Sequence, residues 1–96
     1  MSHPGTVHRW LDLCLRLPVD ASERTLDAAL TGFNPVMSLP SRTRALSEMR
    51  VCIHPAVRAN VATIAAFAAK QAQPGTARYA HVFLTGARAI RDGRRL

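Results

Sequence analysis

The sequence is poor in aromatic residues: one tryptophan, one tyrosine and three phenylalanines make up 5% of its 96 residues. Its apolar residues, 48% of the chain, are mostly alanine, leucine and valine. Sheets favour β-branched and aromatic residues, whereas alanine and leucine are strong helix formers. The composition therefore predicts an all-α fold, and no alternating strand pattern competes with it.

Cysteine and long apolar runs are also scarce. Cys14 and Cys52 each lie in an apolar helical pattern, which predicts two free, buried thiols in a reducing compartment rather than a disulfide framework. The longest apolar stretch, residues 61–69, is interrupted by Thr63 and is too short to span a bilayer. The N-terminal residues lack the apolar core of a signal peptide. We therefore expect a cytoplasmic protein with no membrane contact.

Acidic residues number only six, and they do not form a catalytic pattern. General acid–base catalysis needs two titratable groups in one pocket, but four of the carboxylates are spread over the polar faces of the first two predicted helices. No nucleophile elbow or phosphate-binding loop is present. The spacings of the cysteines relative to His8 and His54 match no standard zinc motif. We therefore expect no enzyme, no metal site and no cofactor.

The apolar periodicity, together with the capping and helix-breaking residues, predicts one compact, single-domain bundle of four to five short helices over residues 1–96. Residues 1–5 and 94–96 are expected to be flexible. The predicted helices span residues 7–17, 21–31, 42–53, 55–73 and 77–92. The predicted N-caps are Thr6, Asp20, Ser41 and Thr76, and Pro55 is the predicted first residue of the fourth helix. The residues predicted to end helices are Pro18, Gly32 and Gly93.

The fourth predicted helix, residues 55–73, is rich in alanine, so that other helices can approach it from several sides. We therefore expect it to be the central helix of the bundle. The residues predicted to form the core are Leu46, Val57, Val61, Ile64, Phe67, Phe83 and Ile90.

Positive charge is distributed unevenly along the chain. The formal net charge is +7, and twelve of the thirteen basic residues are arginine. Residues 1–40 carry a net charge of −1, whereas the basic half, residues 41–96, carries a net charge of +8. A GC-rich coding sequence also enriches arginine, so the arginine bias alone does not identify a partner. The asymmetry, however, is typical of a protein that has an anionic partner.

The last predicted helix arranges part of this charge on one side. At about 100° per residue, His81, Arg88 and Arg95 are nearly eclipsed, and Arg91 lies about 60° away. Cations at a helix C-terminus complement the helix dipole, but that accounts for only one or two of them. We therefore predict a basic face that contacts nucleic-acid backbone. Its predicted residues are Arg42, Arg44, Arg50, Arg58, Lys70, Arg78, His81, Arg88, Arg91, Arg94 and Arg95.

A helix-turn-helix at the corner of the third and fourth helices is the alternative route to nucleic-acid recognition. Arg58 and Asn60 are placed to reach base edges, but the rest of the fourth helix is apolar, and Pro55 stands where glycine is usual. A buried core helix is the better interpretation. Since we expect at most one exposed aromatic residue, either Tyr79 or Trp10, we expect contacts mainly to the nucleic-acid backbone.

These observations lead to three hypotheses. The first is an accessory protein that binds DNA or RNA without marked sequence preference as a subunit of a larger nucleoprotein complex. Small subunits of CRISPR effector complexes are one such role, by analogy of fold class alone. The second is a protein-binding module or inhibitor that docks its basic face on an acidic protein partner, as a phage anti-defence protein would. The third is a helical oligomer whose interface lies on the alanine-rich helix.

Overall fold

Helices form all the regular secondary structure in the part of the chain that the structure describes. The computed structural model describes the backbone of residues 4–96 and the side chains of residues 9–96. In these residues there is no strand, and none of the helices is long and apolar enough to cross a membrane. The radius of gyration of 12.9 Å is that of one compact domain of this length, so the predicted all-α fold is confirmed. The helices are α1 Pro4–Arg16, α2 Glu23–Phe33, α3 Leu39–Ile53, α4 Pro55–Arg58, α5 Val61–Ala69 and α6 Ala77–Arg91.

The first two helices begin at other residues than predicted. Helix α1 begins at Pro4, ahead of the expected cap Thr6, whose side chain lies outside the described residues. Helix α2 is capped by Ser22 instead of Asp20: the Ser22 hydroxyl accepts a hydrogen bond from the N–H of Thr25 at 3.2 Å. A serine oxygen satisfies one of the N–H groups that have no partner inside a helix. Ser22 is therefore the cap of α2, and it has the extended backbone that is usual for a residue directly before a first helical turn.

Helix α3 also begins earlier than predicted, with Ser38 as its cap in place of Ser41. Pro40 lies in the first turn of α3. Proline is tolerated there because the N–H groups of a first turn need no intrahelical acceptor. Gly32, predicted to terminate α2, lies inside that helix, which continues to Phe33.

The predicted helix 55–73 is divided into α4 and α5 at Asn60. The Asn60 side-chain amide donates to the carbonyl of Ala56 at 2.7 Å, the acceptor that the Asn60 backbone N–H would use in a continuous helix. That N–H turns instead to Val57 at 3.0 Å. Helix α4 does begin at Pro55 as predicted, and the ring nitrogen Nδ1 of His54 caps it by accepting from the N–H of Ala56.

Both predicted boundaries of α6 agree closely with the structure. The Thr76 hydroxyl accepts from the N–H of Tyr79 at 3.1 Å, which caps the helix. At the other end, Gly93 has a φ of +80°, a conformation that glycine adopts without strain. The N–H groups of Gly93 and Arg94 donate to the carbonyls of Ile90 and Ala89 at 3.0 and 2.8 Å, respectively. This Schellman arrangement ends α6 and fixes the backbone of Arg94.

Two apolar clusters share the interior, and α1, α3 and α6 contribute to both. The first cluster adds residues of α4 and α5, whereas the second adds residues of α2. The buried members of the first are Leu11, Val51, Val57, Ile64, Ala68, Val82, Phe83 and Ala87. Those of the second are Cys14, Leu17, Leu26, Leu30, Ala45, Met49, Cys52 and Leu84.

Helix α6, rather than the alanine-rich segment, occupies the central position. It packs against α1, α3, α4 and α5, whereas α5 packs mainly against α6. Gly86 makes the α5–α6 contact close: a Cβ atom there would lie 3.1 Å from Cδ1 of Phe67 and 3.4 Å from Cγ2 of Ile64. The predicted core is correct for Val57, Ile64 and Phe83, which are buried. The other four predicted core residues, Leu46, Val61, Phe67 and Ile90, are half-buried on its margin.

Arg58 joins the end of α1 to the α3–α4 corner. Its Nε–H donates to the carbonyl of Cys52 at 2.7 Å, and an Nη2–H donates to that of Cys14 at 3.1 Å. Its guanidinium also donates to the carbonyls of Leu15 and Leu17. The last carbonyls of a helix lack intrahelical donors and carry partial negative charge. Arg58 thus supplies both the donors and the positive charge that the C-terminus of α1 requires.

We predict that Ile64→Ala destabilises the protein by about 2–4 kcal/mol, because it opens a cavity between α5 and α6. Val36→Ala, at a side chain 87% exposed, is the control and should change the free energy of unfolding by less than about 0.5 kcal/mol. Urea denaturation measures both. A loss below about half a kilocalorie for Ile64→Ala would contradict this packing.

We predict that Arg58→Lys costs about 1–3 kcal/mol, since a single ammonium group cannot satisfy carbonyls that are spread over two helix ends. Arg24→Lys, on the exposed side of α2, preserves charge in the same way and should be neutral. Equal urea midpoints for the two variants would show that the Arg58 cap contributes nothing to stability.

Candidate functional site

A groove of about 440 Å³ lies where α6 meets α1, α3 and the end of α2. Three of the predicted basic residues contribute to its lining, together with two aromatic rings. We call it the basic groove. The residues that line it are Trp10, Phe33, Arg44, Glu48, Ala77, Ala80, His81, Leu84 and Arg88.

Helix α6 forms one wall with side chains three or four residues apart, which therefore lie on one face. Ala77 and Ala80 leave space, and buried Leu84 connects the wall to the second apolar cluster. His81 is exposed and Arg88 is half-buried. The predicted stripe thus retains His81 and Arg88. Arg95 does not continue it, because the helix ends at Arg91.

Helix α3 contributes a cation and a carboxylate one turn apart. Arg44 is exposed, and Glu48 is half-buried in the groove. Burial raises the pKa of Glu48, although the neighbouring Arg88, the Trp10 indole and Arg44 partly oppose that rise. The interior of the groove therefore holds an incompletely compensated carboxylate.

Two aromatic side chains from separate helices meet at the groove. The rings of Trp10 and Phe33 are 5.2 Å apart between centroids and inclined at 57°, within the range of favourable tilted aromatic pairs. The guanidinium carbon of Arg9 lies 6.0 Å from the centroid of Phe33, the outer limit for a cation–π contact. The sequence identified Trp10 as a candidate aromatic but gave no signal for Phe33 or Glu48, because no periodicity relates the end of α2 to α1 or α3.

Two predicted arginines of α3 are engaged in ion pairs with α2. Arg42 pairs with Asp27, and one of its Nη2 hydrogens also donates to the hydroxyl of Thr31 at 2.9 Å. Arg50 pairs with Glu23. These contacts hold α2 against α3, so both arginines have a structural role and lie outside the groove.

Two further predicted arginines are satisfied within the protein. The guanidinium of Arg58 caps α1, and Arg91 donates to Asp92 at 3.1 Å, which lowers the pKa of that carboxyl. Asn60, the second residue of the rejected helix-turn-helix, is likewise bonded to backbone. The α3–α4 corner therefore does not present a polar recognition surface.

The remaining predicted cations are exposed but separate from the groove. Lys70 follows α5 and lines a shallow cleft with Leu96. The Nε–H of Arg78 donates to the carbonyl of Gln71 at 3.3 Å, and Arg94 and Arg95 follow α6. Of the predicted set, the structure brings together Arg44, His81 and Arg88.

Both cysteines are free and buried, one on α1 and one on α3. The hydrogen bond with Cys52 and burial raise the pKa of the Cys14 thiol. Neither thiol lines the groove, and within the described side chains no three metal-ligating residues form a cluster.

No protein-family model, curated protein or solved structure matches this chain.

The raised pKa of Glu48 predicts a pH-dependent stability. The folded protein binds this proton more tightly than the unfolded chain does. Protonated Glu48 therefore stabilises the fold at low pH, and that contribution is lost as the pH rises through the raised pKa. Glu48→Gln should melt above wild type at about pH 7, with a difference that shrinks toward about pH 4.

Thermal denaturation followed by circular dichroism at several pH values measures this difference. Asp20→Asn removes one carboxylate from the exposed loop before α2 and controls for the change in net charge. A Glu48→Gln variant less stable than wild type at neutral pH would mean that Glu48 is held by its cationic neighbours more than it is destabilised by burial.

Proposed function

We propose that this chain is a small, basic, helical accessory protein that binds the backbone of nucleic acid without marked sequence preference, as a subunit of a larger nucleoprotein complex. In this proposal the basic groove is the contact surface. Arg44 and Arg88 bind phosphate oxygens, and His81 adds a further donor at the rim.

The observation that carries the proposal is the convergence of cations from two helices at one groove. Arg44 lies on α3, and His81 and Arg88 lie on α6. Within the described side chains, neither Arg44 nor Arg88 forms a salt bridge at contact distance, and both interact with Glu48 only at longer range. Arg42, Arg50 and Arg91, in contrast, are paired. The donors of the two groove arginines are therefore available to an anionic ligand.

The electrostatics of the whole chain favour the same partner. The net charge of +7 attracts a polyanion over a distance of about one Debye length and accelerates encounter. Exposed Lys70, Arg78, Arg94 and Arg95 extend the positive potential beyond the groove. Long-range attraction of this kind acts on any sequence, which accords with backbone binding.

An acidic protein is the second candidate partner, and exposed apolar side chains favour it. Val36, on the connector between α2 and α3, is 87% exposed, and Leu39, the first residue of α3, is 75% exposed. Protein interfaces combine such apolar contacts with complementary charge at their rim. The absence of nucleic-acid binding in the experiment below would make this partner the better proposal.

We predict that the double variant Arg44→Gln/Arg88→Gln binds a labelled single-stranded oligonucleotide roughly tenfold more weakly or worse, because charged hydrogen bonds to phosphate are lost. The slope of log K against log salt should decrease in magnitude by about 1.4, or about 0.7 for each single-strand phosphate contact. The loss should be similar for oligonucleotides of different sequence.

Fluorescence anisotropy over a series of salt concentrations measures these quantities. Arg16→Gln/Arg24→Gln removes two exposed arginines outside the groove and is the matched control for net charge. Equal affinities for the two double variants would mean that the groove is not the contact surface. If wild type binds no oligonucleotide at moderate salt, the nucleic-acid proposal fails.

A further inference from the structure

We infer that the basic groove receives an unpaired base, so that the protein binds single-stranded nucleic acid in preference to duplex. This inference rests on the proposed function and specifies which part of the polymer enters the groove.

The size and lining of the groove suit a planar aromatic group. Its volume of about 440 Å³ lies in the range of pockets that enclose small organic ligands. Ala77, Ala80 and Leu84 provide an apolar wall on α6, and Trp10 and Phe33 provide aromatic surface. Stacking on aromatic side chains is the usual way in which proteins hold bases of any sequence.

Glu48 decides whether phosphate or base occupies the interior. A phosphate placed inside the groove would lie beside this half-buried carboxylate and would be repelled by it. A base has no such cost, because every base carries at least one N–H group, on the ring or on an amino substituent, that can donate a hydrogen bond to a carboxylate. The interior therefore suits a base, while Arg44 and Arg88 bind the phosphates on either side of it.

Duplex cannot use the groove in this way. The bases of a duplex are stacked and paired, and presenting one to a pocket requires that it be unstacked first. A single strand presents its bases without that cost. Selectivity for single strands follows from the geometry of the groove and not from its charge, which duplex would satisfy equally well.

Trp10 makes the inference directly measurable, because it is the single tryptophan of the chain. Three ligands of about 12 nucleotides distinguish binding of the bases from binding of the backbone. This length lies within the site sizes of single-strand binding proteins. The three ligands are a mixed-sequence single strand, the same strand in a duplex, and an abasic single strand with the same phosphates. The single strand should quench tryptophan fluorescence and bind roughly tenfold more tightly than the other two, and the abasic strand should leave the fluorescence unchanged.

Phe33→Leu removes one of the two aromatic rings of the groove but keeps an apolar side chain at this position. It also keeps Trp10, whose fluorescence reports binding. This variant should lose most of the preference for the single strand over the abasic strand. Tyr79→Leu removes a ring that packs on Phe83 outside the groove and should keep the wild-type preference. Circular dichroism establishes that both variants are folded.

The outcomes separate the two proposals. If anisotropy detects equally tight binding of all three ligands, with no base-dependent quenching, the base subsite is excluded and backbone binding stands. If anisotropy detects no binding of any ligand, the proposed function fails and the subsite fails with it. The comparison of ligands on wild-type protein requires no variant to fold.

Discussion

Helix α6 must bury side chains in two apolar clusters at once, and this constraint determines where the polar side chains around it can lie. Phe83 belongs to the cluster shared with α4 and α5, and its neighbour Leu84 belongs to the cluster shared with α2. Gly86, one turn after Phe83, lets α5 approach closely on the side of the first cluster. Because α6 is packed against four helices, its polar side chains are confined to the part of its surface that remains, and His81 and Arg88 are the two of them that line the groove. The groove is thus a consequence of how α6 is packed.

A second constraint is the capping of α1 by Arg58. A helix end that faces protein needs donors for its last carbonyls, and an unpaired buried carbonyl costs as much free energy as a lost hydrogen bond. One guanidinium serves the carbonyls of Cys14, Leu15 and Leu17 as well as that of Cys52 on α3. The contact fixes the position of α1 relative to α3, and therefore the distance between Trp10 and the groove residues of α3.

The positions of the carboxylates determine which arginines are held in ion pairs within the protein and which can bind a ligand. Asp27 and Glu23 on α2 pair with Arg42 and Arg50 on α3. These pairs are partly exposed, so each contributes little stability. They neutralise Arg42 and Arg50, so the excess positive charge of the protein lies on its other arginines. The carboxylate of Glu48 lies in the groove instead. The groove therefore presents both positive and negative side chains. A surface that bound only phosphate groups would not need the negative one.

Four features could be predicted from the amino-acid sequence because each depends on local or summed properties. They are the helical class, the cap at Thr76, the stop at Gly93 and the excess charge of the C-terminal half. The tertiary structure places α6 at the centre of the bundle and brings Arg44 and Arg88 to the same groove. It also assigned Arg58 to the cap of α1, a bond between residues more than forty positions apart. Periodicity locates a side chain on one face of its own helix, but the partner of that face depends on how all the helices pack. For that reason Phe33 and Glu48 carried no signal in the sequence.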